Sequence, residues 1–444
     1  MKFYNRESEI AELLRIRELA YTRNSRMTVL TGRRRIGKTS LIRRAFAHGD
    51  TPMLYFFVGR KTEAALVDDF AAEVRAKLGY VPDGLRTVSA VMRYLLEQAK
   101  TRPLTVAIDE FQEFMNLNHT LFSDLQNLWD TYRYDTHMNL LLSGSVQSMM
   151  QRIFTDAHEP LFGRADNIIN LRPFRIAVLK EILHDYNPTY SADDLLALYT
   201  ITGGIPKYVE LLCDNGHLTA EAMLRFTASS MSPFIDEGRH LLITEFGRDY
   251  GTYFSVLLCI ARGYTSQGDI TAALGGVSIG GHLDRLENTY NVIAKVRPIL
   301  AKPGSRGVVR YRITDNFLQY WFRFIERNRT MVEIDNYADL QALILRDYPT
   351  YSGIILERYF RQKLMEEGGY RDIGSWWEAR AGKAANEIDI VALRTDGHSA
   401  LVAEVKRNAA NYRPEAFMAK VEHLRTKLLA GYVIDAHLLT MEQM

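Results

Sequence analysis

Short apolar, largely β-branched runs alternate with amphipathic stretches over residues 27–171: MTVLT at 27–31, MLYFFV at 53–58, LTVAIDE at 104–110, MNLLLS at 138–143 and NIINL at 167–171. Continuous apolar runs of this length are what fully buried parallel strands require, because helices cover both faces of such a sheet. From 172 to 244 the periodicity becomes helical and is broken at TGGIPK. Residues 252–315 read as three short helices and then two β-like runs, NVIAKVRPIL and GVVRYRIT, around Pro303-Gly304. Three helices followed by a two-stranded ribbon is the outline of a winged helix. Beyond them a helix (IILERYFRQKLMEE) precedes strand-like runs at 371–379, 386–393 and 400–406 and a closing helix around 413–430, so the end of the chain is again α/β. The pattern changes place boundaries at 1–171, 172–244, 245–330 and 331–444.

Composition sharpens this only when resolved along the chain. The 444 residues carry 55 Lys+Arg against 53 Asp+Glu, which excludes a wholly basic nucleic-acid coat. By segment, 1–244 is neutral, 245–330 holds 12 basic and 7 acidic residues, and 331–444 holds 14 and 17. Within the basic segment, 294–312 carries Lys295, Arg297, Lys302, Arg306, Arg310 and Arg312 and no acid. Cys213 and Cys259 have no partner at metal-ligand spacing, so neither a zinc knuckle nor a disulfide framework is expected. The start MKFYNRESEI has no apolar targeting core, and no run approaches the roughly 18 apolar residues of a membrane span. A soluble, cytoplasmic protein is the expectation.

Gly32-Arg33-Arg34-Arg35-Ile36-Gly37-Lys38-Thr39 satisfies G-x-x-x-x-G-K-[ST] between an expected strand and the helix SLIRRAFA. Such a loop curls backbone N–H groups around phosphates, its lysine reaches the β and γ oxygens, and its Thr offers a hydroxyl to Mg²⁺. Gly32, Arg35, Ile36, Gly37, Lys38, Thr39 and Ser40 are thus the candidate ATP-binding residues. A second part follows on the run ending in Asp109-Glu110: an acid at the tip of a buried strand is costly unless it binds something. Asp109 is expected to share the Mg²⁺ shell with Thr39, and Glu110 to orient or activate the attacking water. Ser143 and Ser145, ending another buried strand, either meet the γ-phosphate and lytic water or merely open a turn. Arg164 in PLFGRAD is either an arginine finger, in cis or in trans, or a structural arginine.

Together FYNRESEIAEL, GRRRIGKTSLI, AIDEFQ, SGSVQSMM, PLFGRAD and TGGIPKYVELL resemble the archaeal-type P-loop ATPases, a branch near the STAND and AAA+ proteins. DNFLQYWFRFI and NEIDIVAL look like the domain of unknown function that often follows this ATPase. The resemblance implies a sheet whose two Walker strands are separated by an intervening strand, followed by a small helical lid. It also implies that Asn5 and Arg6 lie near the adenine and that Gly203, Gly204 and Pro206 belong to a nucleotide-sensing lid element.

In the basic segment, 265–275 is expected as the second helix of a helix-turn-helix and 278–290 as the recognition helix, with His282, Asp284, Arg285 and Asn288 as base readers and 294–312 as the wing. DNA binding through the wing stands beside use of the same unit as a protein-interaction or lid module. The aromatic series Phe317, Tyr320, Trp321, Phe322 and Phe324 has helical spacing and is expected to pack the wing against the last domain.

Near the end, Asp389 is followed by Glu404-Val405-Lys406, and Glu357 lies on the preceding helix. E-x-K on a strand puts Glu404 and Lys406 on one face, beside Asp389 on the neighbouring hairpin strand. Carboxylates so placed can bind a second Mg²⁺ or Mn²⁺ while the lysine positions or deprotonates water. This looks like the PD-(D/E)XK nuclease signature, with Ile388 where proline often stands. The alternatives are a hairpin with an ion-paired lysine, or a nuclease-like fold kept for binding. The overall expectation is an α/β chain: a P-loop NTPase sheet with helical lid, a winged helix, and a restriction-endonuclease-like domain. It would be an ATP-driven switch acting on DNA, with a signalling or scaffold ATPase that binds a protein partner as the alternative, and with homo-oligomerisation open.

Overall fold

The computed structural model describes residues 1–47, 53–118, 120–247, 250–301, 309–378 and 386–444, so Lys302, Arg306 and the Pro303-Gly304 pair lie outside the described residues. The chain divides into two compact units, Phe3–Pro173 and Phe174–Met444 together with Met1–Lys2. The segments expected as lid, winged helix and last domain therefore share one unit.

The first unit alternates α1 (Glu7–Thr22), β1 (Arg26–Thr31), α2 (Lys38–Ala45), β2 (Met53–Phe57), α3 (Glu63–Leu78), α4 (Val88–Gln98), β3 (Leu104–Asp109), α5 (Leu121–Tyr132), β4 (Met138–Ser143), α6 (Gln147–Thr155) and β5 (Asn167–Asn170). All its strand pairs are parallel, in the order β2-β3-β4-β1-β5. β3 and β4 are buried along their whole length, as their unbroken apolar runs require. β4 separates β1 from β3, as the resemblance implied. Phe56 stacks on Phe70 of α3, and Phe111, Phe114 and Trp129 fill the layer under α5.

In the second unit, α7 (Ile176–Tyr186), α8 (Ala192–Thr202), α9 (Pro206–Asp214), α10 (Ala220–Thr227) and α11 (Phe234–Phe246) form the helical stretch. Next come α12 (Tyr250–Ala261), α13 (Gln267–Ala273), α14 (Gly280–Asp284, continued by a π-turn at Arg285–Thr289) and the antiparallel ribbon of β6 (Ile293–Val296) and β7 (Arg310–Ile313). The aromatic series sits on α15 (Asn316–Phe324) and is buried throughout. It packs largely against the helical stretch: Trp321 Nε1 donates to Ile235 O at 2.9 Å, the Tyr320 hydroxyl meets Thr227 Oγ1 at 2.7 Å, and the ring of Trp321 covers Gly238. Tyr320 and Phe324 also meet Tyr351, in the segment expected as the last domain, and Phe322 meets Phe254 of α12, so the series joins that segment and the expected winged helix as well as the helical stretch.

After α16 (Arg329–Glu333), the long α17 (Tyr337–Glu367) passes through Pro349. β8 (Tyr370–Trp377), β9 (Glu387–Arg394), β10 (Ser399–Val405), α18 (Pro414–Leu428) and β11 (Val433–Leu439) complete the chain. The sheet order is β11-β10-β9-β8, antiparallel except for the parallel β10–β11 pair that α18 crosses over. Phe417, Val421 and Leu424 of α18 pack on Ile388, Val391 and Val402. The β6–β7 ribbon docks beside β8: Ile299 N donates to Ser375 O at 2.8 Å and Arg310 forks onto Glu387 at 2.7 and 3.3 Å while covering Trp377. Cys213 and Cys259 are free and buried. Among the described residues no helix is long and apolar enough to cross a membrane.

Candidate nucleotide site and a second acidic cluster

β1 ends at Thr31 and the chain turns at once into the loop. Gly32 has φ +140°, and a Cβ there would stand 2.8 Å from the carbonyl oxygen of Leu171, so only glycine fits. Gly37, φ +92°, starts α2 in the left-handed region, and Arg35 at φ 67° is the loop's non-glycine residue with positive φ. Ile36 is buried beneath the loop, while Arg35 and Ser40 are exposed. Lys38 opens α2; its buried ammonium donates to Gly32 O at 2.9 Å and Arg33 O at 3.2 Å and so stays folded over the loop.

Asp109, at the tip of β3, is the hub of the site. Its Oδ2 accepts from Thr39 Oγ1 at 2.7 Å and from the Tyr55 hydroxyl at 2.6 Å. Its Oδ1 accepts from Glu110 N at 3.0 Å and from Ser143 Oγ. Every one of these donors is neutral, so the carboxylate is oriented while its charge is left for a cation. Burial first, then the Asp109 carboxylate, pushes the Tyr55 phenol far above its ordinary range, and it remains a donor. Thr39 and Asp109 present hard oxygens side by side, the donor set that suits Mg²⁺. Glu110 takes a left-handed backbone, φ 56°, and its Oε2 accepts from Gln112 Nε2 and from Ser145 Oγ at 2.7 Å. Both serines thus hold the two acids, Ser143 on Asp109 and Ser145 on Glu110.

Asn5 and Arg6 both have positive φ, and Arg6 is buried, pairing with Glu9 at 3.0 Å and donating to Arg172 O at 2.7 Å. Arg172 follows Leu171, the residue under Gly32, so Arg6 stands at the loop's edge of the sheet. Pro206 opens α9 in the other compact unit.

Arg164 requires a correction. It donates to Asp130, in the last turn of α5, at 3.1 Å, and two residues on Asp166 accepts from Met27 N at 2.8 Å at the beginning of β1. That is the edge of the sheet opposite the phosphate loop, about 20 Å away along a six-residue strand. The role in cis falls.

Residues 3–212 match the family model of an ATPase domain predominantly from Archaea. The first unit has the fold of a P-loop ATPase domain. A second model, described as archaeal and bacterial proteins of unknown function, matches residues 321–416. An uncharacterized protein of Methanocaldococcus jannaschii is 26% identical over 423 residues, 91% of this chain and 87% of its own. A Walker-type ATPase of Pyrococcus abyssi shares the fold at 19% identity and TM-score 0.54, over 72% of this chain and 96% of that one. The signals for Asn5, Gly32, Lys38, Asp109 and Glu110 all lie inside the matched ATPase domain. Tyr55 and Gln112, also inside it, went unnoticed because each reads as an ordinary strand or turn residue.

The second cluster lies on the C-terminal sheet. β9 and β10 bring Asp389 beside Glu404 and Lys406, as the period of two anticipates: Lys406 Nζ is 2.9 Å from Glu404 Oε1 and 3.9 Å from Asp389 Oδ2. Asp389 also accepts from Val405 N at 2.8 Å. Lys420 of α18, which no motif flagged, reaches the other oxygen of Glu404 at 3.3 Å. Glu357 on α17 pairs with Arg361 at 3.3 Å; burial, then the charge of Asp389, pushes its carboxyl up to about 7. Burial likewise raises Asp389, with Glu404 adding to it against the Val405 N–H. Lys406 is raised because its carboxylate neighbours together outweigh the burial that pulls it down. Among the described residues no group of three or more His, Cys, Asp or Glu is gathered closely enough to hold a metal ion. Glu357, Asp389 and Glu404 are therefore not gathered into the three-carboxylate metal site the sequence suggested: Lys406 approaches both Asp389 and Glu404, Lys420 holds the other oxygen of Glu404, and Glu357 is paired with Arg361.

Proposed function

We propose that the chain is a Mg²⁺-dependent ATP-hydrolysing switch whose second unit carries a DNA-binding winged helix and a nuclease-like domain. The observation that carries the hydrolytic part is the four neutral donors on Asp109, together with Lys38 buried over the phosphate loop. In this reading the loop N–H groups and Lys38 hold the phosphates, and Thr39 and Asp109 hold Mg²⁺, which when bound neutralises charge developing on the phosphoryl oxygens. Glu110, fixed by Ser145 and Gln112, takes the proton of the attacking water. Asn5 and Arg6 flank the adenine, and the turn leading into Pro206 responds to nucleotide. Phosphate release measured with Mg²⁺ tests this: Lys38→Ala should fall to background, and equal rates for variant and wild type would overturn it.

The DNA reading is supported by α12–α14 followed by the β6–β7 ribbon and by the exposure of Lys295 and Arg297 on that ribbon. It is narrower than the sequence suggested, since Asn288 donates to Asp284 and Arg285 reaches the Tyr253 hydroxyl. The nuclease reading is supported by Asp389, Glu404 and Lys406 on adjacent strands. One observation favours a second reading, a signalling or scaffold ATPase with a non-cutting domain: both oxygens of Glu404 are engaged by lysines. A nicking assay with Mg²⁺ or Mn²⁺ separates them. Cutting by wild type that is lost in Asp389→Ala and in Lys406→Ala supports the nuclease; no cutting on DNA or RNA supports the scaffold.

A further inference from the structure

Three arginines converge where β7 meets α17, and only two of them are satisfied. Arg358 donates to Asn316 Oδ1 at 3.1 Å and Ile313 O at 2.8 Å. Arg361 donates to Ser375 Oγ and pairs with Glu357 at 3.3 Å. Arg312, on β7, has no hydrogen-bond or ion-pair partner for its guanidinium among the described residues, yet it is half-buried within the field of the other two. Asp315 acts on Arg358, and Glu357, paired with Arg361, also acts on Arg312, so three guanidinium groups share two carboxylates and one positive charge is in surplus. Burial, then the like charges of Arg361 and Arg358, lower Arg312 to about 10, so it is still charged at neutral pH. A guanidinium kept charged, half hidden and unpaired is costly unless an anion meets it.

We propose that Arg312 and Arg361, held in place by Arg358, form a pocket for one phosphate group of a nucleic-acid strand that runs on past Asp389, Glu404 and Lys406. The planar fork of arginine matches two phosphate oxygens at once, which lysine cannot do. None of the three side chains is wholly enclosed, so a ligand oxygen can reach them. Glu357 belongs both to this pocket and to the acidic cluster, being paired with Arg361 and electrostatically linked to Asp389, so the pocket and the cluster are continuous. Lys295 on β6 and Arg297 just after it are exposed and add positive charge to the same ribbon. The inference rests on the nucleic-acid reading above for the identity of the occupant, not for the existence of the pocket.

The test is fluorescence anisotropy of the full chain with a labelled single-stranded oligonucleotide, in chelator so that nothing is cut, over a range of salt. Arg312→Gln should weaken binding about ten- to a hundredfold and flatten the plot of log affinity against log salt by about 0.7. Arg312→Lys should fall between it and wild type, because charge is kept and the fork is lost. Arg425→Gln, which removes one charge from the exposed end of α18, should stay within about twofold of wild type. Melting of Arg312→Gln without ligand should be no lower than wild type, since a surplus buried charge is removed. Wild-type affinity and slope in Arg312→Gln, or an equal loss in Arg425→Gln, would overturn the proposal. So would inorganic phosphate raising the melting point of wild type but not of Arg312→Gln while strand binding is unchanged, since the pocket would then serve a small anion. If Arg312 controls binding but wild type cuts nothing with Mn²⁺, the nuclease reading fails alone and the pocket stands.

Discussion

Two acidic sites in this chain hold carboxylates in fixed positions, and they differ in the groups that surround the acids. Around Asp109 the donors are two serine or threonine hydroxyls, a phenol and a backbone N–H. Around Glu404 they are two ammonium groups. Neutral donors fix a carboxylate's direction and leave its charge unspent, so a divalent cation meets the full attraction. Ammonium groups fix it by cancelling that charge, so a cation must first displace one of them. The first arrangement is ready for metal; the second requires lysine to move aside, and an incoming phosphodiester is the kind of group that would draw it away.

The largest effects should come from the first site. Asp109→Asn keeps the shape but removes the charge, and Mg²⁺-dependent phosphate release should drop by about a hundredfold or more. A loss under tenfold would mean that the charge of Asp109 is not what the neutral donors preserve. At the second site the same logic runs backwards. Lys420→Met frees one oxygen of Glu404 and should raise Mn²⁺ affinity about tenfold, read by calorimetry without nucleotide. Unchanged affinity would break the comparison, because the lysine would not be competing with the cation.

Tyr55→Phe asks how much a single neutral donor matters. It removes one of the bonds on Asp109 and leaves the ring against Arg43, so kcat/KM for ATP should fall about tenfold, the lower end of the worth of one hydrogen bond to a charged group. A loss as large as that of Asp109→Asn would show that Tyr55 does more than orient the acid.

How legible each site was follows from what each demands of the backbone. The phosphate loop needs positive φ at Gly32 and Gly37, and that requirement is written as residue identity. The central strand runs of the first unit are equally plain, MNLLLS coinciding with β4, because β3 and β4 are buried on both faces and read as nearly continuous apolar runs. β11 was not foreseen: as an edge strand with Val433, Asp435, Ala436 and His437 exposed it carries no such pattern. Nor was the full length of α17, whose passage through Pro349 is maintained by buried Leu340, Ile344, Tyr348 and Ile355 on either side of the break. Lys420 and Tyr55 reach their acids across the fold, which no spacing along the chain encodes. Arg164 was readable in principle: a residue just before a strand of a parallel sheet belongs to the edge away from a loop that follows one.

The smallest expected effect isolates burial from the cations themselves. Glu378 is also held by a cation, Lys427, and by His423 at 3.0 Å and Asn386 at 2.8 Å, yet it stands near the surface. Its carboxyl is lowered to about 2, chiefly by the Lys427 hydrogen bond, whereas buried Asp389 beside Lys406 is raised. Cationic neighbours thus lower a carboxylate only where desolvation does not overtake them. Because the folded-state value lies below the ordinary 4.5, the stabilisation is complete above pH 4.5 and drains away as pH falls toward 2. Glu378→Gln should therefore melt lower than wild type at neutral pH, by under about 1 kcal/mol once solvent screening is allowed for. The two melting curves should converge as the pH is lowered through that window. A gap that persisted at the acid end would assign the contribution of Glu378 to packing rather than charge, and the contrast with Asp389 would then no longer measure burial.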